Sequence, residues 1–288
     1  MKKMVLFVLS LLTLTLFGCR EVRKQPDVIT TLYPQYSITQ SIAKDKLHTS
    51  LIIPIGSDGH HFTPTSRDII EIQKAKLFIL TSYTMEPWAK NLKGNKLDLS
   101  VGLEHEHGHE HDHDDVHYFV SIDNQIHMTH SILEELIKVD GENKAFYEEN
   151  AQKLIADLTH IKQQFLNLGN PTLYYIGHDV FESFSEESGI TVHSLLSSFT
   201  DEANPTSKDI QTLMENIKRD NILVIYYDSL SMQELASTIK SDLLDDGYNV
   251  SIRPFHSFHN VHLRDFHTNK TLADFWNENY EVIKEFYE

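Results

Sequence analysis

The sequence predicts an α/β fold: two α/β lobes with central parallel-type sheets, joined by one long connecting helix. Three observations carry this reading. Short β-branched runs alternate with amphipathic helical stretches in both halves of the 288-residue chain, which is the pattern of parallel βαβ units. A single long helical pattern without Pro or Gly separates the two halves. Histidines recur just after predicted strands, on the side where open α/β sheets hold their ligands.

The first eighteen residues stand apart from the fold. Lys2 and Lys3 are followed by an apolar run from Val5 to Phe17, broken only by Ser10, Thr13 and Thr15. The run is too short to span a bilayer comfortably and reads as a signal peptide. It ends in Leu16-Phe17-Gly18-Cys19, which resembles a bacterial lipobox. There, a cysteine after a small residue is lipidated and becomes the new N-terminus. Cys19 is the only cysteine, so no disulfide forms within one molecule. Its expected role is lipidation, with residues 19–27 as a polar, membrane-anchored tether.

Residues 28–141 form the expected first lobe. Val28 to Leu32 reads as a strand stopped by Pro34, Tyr36 to Ala43 as a helix, and Leu51 to Ile53 as a second strand ended by Pro54 and Gly56. Thr65 to Lys74 reads as a helix and Leu77 to Leu80 as a third strand. Glu104 to Asp115 is a low-complexity stretch of Glu, Asp, Gly and His without one apolar residue. Such a stretch cannot pack a core and reads as a solvated loop.

Residues 142–169 form the expected connector. Phe146, Leu154, Ile155, Leu158, Ile161, Phe165 and Leu168 recur at helical spacing until Gly169. Residues 170–288 repeat the alternation as a second lobe. Strands are expected at Thr172 to Ile176, Ile190 to Leu195, Ile222 to Tyr227 and Val250 to Phe255. Helices are expected at Thr206 to Lys218, Met232 to Leu244 and Leu272 to Tyr287. Two lobes on one helix leave a cleft, a favoured place for a ligand.

Charge narrows the partners. The formal net charge is -17 and no basic stripe is present, which argues against nucleic acid, since phosphate binding needs clustered Lys and Arg. Eighteen histidines point to a metal instead. His60, His61, His117, His178, His256 and His259 follow predicted strands or the acidic loop. Neutral imidazole is a borderline-soft ligand, with Zn–N near ~2.0–2.1 Å. Imidazoles from separate loops can close a tetrahedron and bind a cation without opening a position for chemistry.

The flanking residues make the pattern specific. Gly56-Ser57-Asp58-Gly59-His60-His61-Phe62-Thr63-Pro64 resembles a Gly-x-Asp-Pro-His-x-Tyr/Phe-x-Pro motif, with Gly59 at the Pro position. Asp115-Val116-His117-Tyr118-Phe119-Val120-Ser121 resembles Asp-Pro-His-x-Trp-Leu-Ser/Asp. His178 with Phe181, Phe184 and Gly189 resembles a third motif. In this order the motifs resemble those of the cluster A-I solute-binding proteins of bacterial zinc and manganese ABC importers. The resemblance implies a metal site in the interlobe cleft with His60, His117 and His178 as ligands. It also implies a fourth ligand in the segment Pro254-Phe255-His256-Ser257, with His256 first in line and His259 second. It further implies capture of Zn²⁺ outside the cytoplasm and delivery to a permease with its ATPase. The protein is then a monomer held at the membrane by a lipid anchor, on the cell surface or in the periplasm, and not an enzyme.

Zinc is favoured over manganese because the ligand set is imidazole rather than carboxylate. His105, His107, His109, His111 and His113 read as a low-affinity collecting loop. Its match to His-Glu-x-x-His lacks the packed helix that zincin chemistry requires. Three other readings stay open at this point: a manganese-binding member of the family, a secreted zinc hydrolase with Asp58, Glu202 or Asp228 as base, and a surface adhesin or metal store.

Overall fold

The computed structural model describes residues 25–57, 59–103, 116–196, 205–259 and 261–287. The expected leader, Cys19, the expected tether up to residue 24, Asp58, the histidine tract 104–115 and Glu202 lie outside the described residues.

The first lobe runs β1 Val28–Thr30, α1 Tyr33–Ala43, β2 Thr49–Leu51, α2 Ser66–Lys74, β3 Leu77–Leu80 and β4 Lys96–Asp98. Its strands are all parallel, in the order β2-β1-β3-β4. Then come α3 Ile122–Val139 and α4 Lys144–Asn167. The second lobe runs β5 Thr172–His178, α5 Glu182–Ser188, β6 Thr191–Leu196, α6 Ser207–Arg219, β7 Val224–Asp228, α7 Gln233–Asp245, β8 Ser251–Phe255, α8 Leu263–His267 and α9 Leu272–Tyr287. Its sheet is also parallel, in the order β6-β5-β7-β8. The two sheets therefore share one winding order.

Local chemistry explains the boundaries. Strand β3 is buried along its whole length, as a parallel strand covered on both faces must be, and so reads as an unbroken apolar run. Thr65 caps α2 and Thr206 caps α6, each exchanging hydrogen bonds with an aspartate three residues on, Asp68 and Asp209. Helix α5 ends at Gly189 in the left-handed region, φ 74°.

Helix α4 buries Tyr147, Ala151, Leu154, Leu158, Ile161 and Phe165, alternating three and four residues apart, so one stripe faces the core. Helix α3 packs beside it, and α9 crosses onto α4 and back onto α1. Helix α3 is absent from the sequence reading. It buries Gln125 and Thr129 among its apolar residues, which interrupts the apolar period. Gln125 is accommodated because its amide donates to Phe119 O at 2.9 Å and its Oε1 accepts from Trp276 Nε1 at 2.9 Å.

One continuous apolar cluster joins the lobes: Val28 and Ile79 of the first, Leu158 and Phe165 of α4, and Leu173, Phe255 and Trp276 of the second. Shared close packing resists large hinge motion. Among the described residues no helix is long and apolar enough to cross a membrane.

Candidate metal centre

Because every strand pairing in the described sheets is parallel, each sheet presents all its carboxyl ends on one side. His60 lies on the loop after β2, His117 between β4 and α3, His178 at the end of β5, and His256 and His259 beyond β8. Gly59, just before His60, sits so close to Leu32 that a Cβ there would lie 2.7 Å from Leu32 Cδ2. The absence of a side chain lets the His60 turn press against the end of β1.

His60, His117 and His259 converge, each offering one ligand nitrogen, with these atoms all within 4.8 Å of one another. Nε2 of His117 and Nε2 of His60 are 3.2 Å apart. The ring centroids stand 5.2 Å apart for His60 and His117, 5.6 Å for His60 and His259, and 4.7 Å for His117 and His259. Phe119 closes one side, 5.2 Å from His259 and 6.2 Å from His117.

His256 stands apart from this group with both ring nitrogens engaged: Nδ1 with Ser229 Oγ at 2.9 Å and Nε2 with Glu278 Oε2 at 3.0 Å. Its ring lies against Phe275, and its backbone is clasped by Asn279 on both sides. His259, second in line for a place in the site, joins the cluster instead. The cause is Phe258, which is buried against Trp276 in a left-handed conformation, φ 63°. That turn carries His259 round to the cluster. His178 lies outside the 4.8 Å group, yet near enough to disfavour charge on both His117 and His259.

Burial drives the electrostatics. His117 is pushed down to about 3, first by burial, then by His60 and His178. His259 lies well below the ordinary histidine value, first through burial, then through His117 and His60, while Asp228 opposes the shift. Both rings are neutral near pH 7 and keep a lone pair for a cation.

Asp228 ends β7 and is held firmly. Its Oδ2 accepts from Tyr175 Oη at 3.0 Å and Ser257 Oγ at 2.8 Å, and its Oδ1 from Leu230 N at 2.9 Å and from Ser231. A carboxylate with both oxygens so engaged does not present the open base that a hydrolase needs. Tyr175 reaches Asp228 over Gly177, where a Cβ would fall 2.3 Å from the tyrosine ring. Nothing in the sequence flags this tyrosine, or the turn at Phe258.

The chemistry of the donors is clear. Neutral imidazoles converging on one point, with carboxylates held back, fit a borderline cation such as Zn²⁺ better than a hard one. Two parallel α/β lobes that share a helical connector and enclose such donors define a bilobal metal-binding protein.

The chain belongs to the ZnuA family, "Zinc-uptake complex component A periplasmic", whose profile matches residues 28–285. It is 28% identical over 239 residues to the high-affinity zinc uptake system protein ZnuA of Bacillus subtilis, covering 75% of each chain. It is 27% identical over 269 residues to the zinc-binding lipoprotein AdcA of Streptococcus pneumoniae, with 84% of this chain matched but only 53% of AdcA. It therefore spans about half the length of that relative. In fold it is similar to the crystal structure of the metal-dependent lipoprotein YcdH from Bacillus subtilis, with a TM-score of 0.77 and 22% identity over 91% of this chain and 99% of that one.

Proposed function

We propose that this chain is the extracytoplasmic zinc-binding component of an ABC importer, capturing Zn²⁺ between its lobes and passing it to a permease driven by an ATPase. The observation that carries the reading is the convergence of His60, His117 and His259 within 4.8 Å. His178, at the edge of the group, supplies the fourth ligand. A closed set of four leaves no position to activate water, so the site binds without catalysing. Zn²⁺ is the cargo. Cu²⁺ and Ni²⁺ bind such nitrogen sites at least as well in vitro, so selectivity comes from supply and from docking on the permease.

Lipidation at Cys19 would hold the protein at the outer face of the membrane as a monomer. The histidine tract, with His105, His107, His109, His111 and His113, would gather Zn²⁺ weakly. Nucleic acid is no partner for a chain of charge -17.

The test is Zn²⁺ binding by chelator competition. The wild type should bind one ion tightly, His60→Ala and His117→Ala should weaken it at least ~100-fold, and deletion of 104–115 should leave the tight site intact. Tight binding that survives both histidine substitutions would sink the proposal.

A further inference from the structure

The turn that carries His117 runs directly into the N-terminus of α3, and the group that caps this end comes from the other lobe. Glu187 lies in α5, between β5 and β6. Its carboxylate accepts from Ser121 Oγ at 2.8 Å, Ile122 N at 2.7 Å and Asp123 N at 2.9 Å. The two backbone donors are among the first N–H groups of α3, which have no partner within the helix. A negative charge is favoured at that end of a helix.

The connection continues to the metal centre on both sides. Ser121 Oγ also accepts from Asn124 N at 3.1 Å, and Val120 N donates to His117 O at 2.8 Å. Asn124 Nδ2 donates to Tyr118 O at 2.9 Å, and Gln125 Nε2 holds Phe119 O. The segment from His117 to Ser121 is therefore rigid, and what fixes its end fixes His117. On the other side, α5 follows His178 after a short loop. Lys162 of α4 pairs with Asp123 at the same spot.

Burial pushes Glu187 up to about 7, opposed by its own hydrogen bonds. A carboxylate that accepts three hydrogen bonds from the other lobe does more than cap its own helix end. We propose that Glu187 is a positioning residue of the metal centre: it ties the His117 segment to the His178 segment and so slows release of the captured ion. This rests on the zinc-capture reading above.

The experiment measures Zn²⁺ release from the loaded protein into excess chelator, alongside melting of the metal-free protein. Glu187→Gln is isosteric but presents an amide to backbone donors. It should speed release by about 5–10-fold, the loss expected of one charged cap. Ser121→Ala, which keeps the carboxylate and the backbone donors, should speed release by about 2–3-fold. The double variant should show less than the product of the two, because both act through one contact.

A local cap without influence on the site would lower the melting temperature and leave release unchanged. That outcome in both single variants overturns the proposal, and Ser121→Ala alone decides it if Glu187→Gln does not fold. His60→Ala separates the two readings. If it abolishes tight binding while release from the Glu187 and Ser121 variants stays at the wild-type rate, Glu187 has no positioning role but zinc capture stands. If it leaves tight binding intact, the zinc centre itself is misassigned.

Discussion

Phe258 packs its ring against Trp276, with centroids 4.3 Å apart, while its backbone sits in the left-handed region at φ 63°. A bulky residue rarely adopts this conformation, at a cost of about 1–3 kcal/mol. Burial of the ring against Trp276, itself buried, offsets that cost and fixes where His259 points. Phe258→Ala should therefore act on both stability and binding. The metal-free protein should lose about 3–5 kcal/mol in urea unfolding, the range for a buried Phe→Ala, because alanine keeps the Cβ and with it the strain. Zn²⁺ affinity should fall at least tenfold, since His259 is no longer held. Phe258→Gly, which tolerates the conformation but lacks the ring, should lose binding as well. Retention of full affinity by both variants would show that the aromatic anchor does not place the ligand.

The same pair marks where the sequence stops being informative. Alternating strands and helices are legible because parallel strands are covered on both faces and read as unbroken apolar runs, as at β3. Strand β4 escapes notice because its three residues are only half-buried. Helix α3 escapes because Gln125 and Thr129 are buried inside its apolar stripe. His60 and His117 can be picked out from their motifs. Between His256 and His259 the resemblance places His256 first, since the grouping of His259 turns on a left-handed Phe258 that the sequence does not announce. Glu187 is likewise silent in sequence, because its partners lie more than sixty residues away.

The buried imidazoles set the acid sensitivity of the metal-free fold. His117 has a native value of about 3 against about 6.5 in the unfolded chain, and His259 is shifted in the same direction. Between pH 6.5 and 3 the unfolded chain binds more protons at these sites, so stability is full above pH 6.5 and falls as pH drops. Glu187 has the opposite sign. Its raised native value, about 7, contributes stability below the ordinary glutamate range and loses it as pH rises through 7. His256 is lowered by burial as well, and Glu86 is raised by it, so three histidines against two glutamates predict a net loss on acidification from pH 6.5 to 5, at up to about 1.4 kcal/mol per pH unit for each histidine. Urea unfolding at pH 7, 6 and 5 measures it, and His117→Phe should flatten the slope. A wild-type protein equally stable at all three would contradict the burial of these rings.

Gly177 is predicted to be intolerant of any side chain. A Cβ there would lie 2.3 Å from the ring of Tyr175, which is buried between Phe181 and Phe255 and cannot retreat. Gly177→Ala must displace the ring and break its bond to Asp228. Overpacking of this kind costs about 1–3 kcal/mol, with more lost if the Asp228 carboxylate is left short of a donor. Thermal melting of the metal-free protein should fall by several degrees. Tyr175→Phe, which removes only the hydroxyl, should cost less, and the ranking of the two variants is the check.

The two histidines beyond β8 are predicted to behave as opposites although they lie three residues apart. His259 shares the cluster with His60 and His117, so on the proposed reading His259→Ala removes a ligand nitrogen. Zn²⁺ affinity should drop about 100-fold or more, roughly 3 kcal/mol, while the metal-free melting temperature holds or rises slightly because a desolvated imidazole is gone. His256 instead bonds Ser229 and Glu278 and rests on Phe275, so His256→Ala removes a brace. It should cost about 1–3 kcal/mol of folding stability, from the lost packing on Phe275 and the lost hydrogen bonds, and change Zn²⁺ affinity by less than about threefold. Chelator competition and thermal melting on the same two variants separate the roles. If His256→Ala abolished tight binding while His259→Ala left it untouched, the family-derived expectation would hold and the turn at Phe258 would not govern the zinc-bound protein.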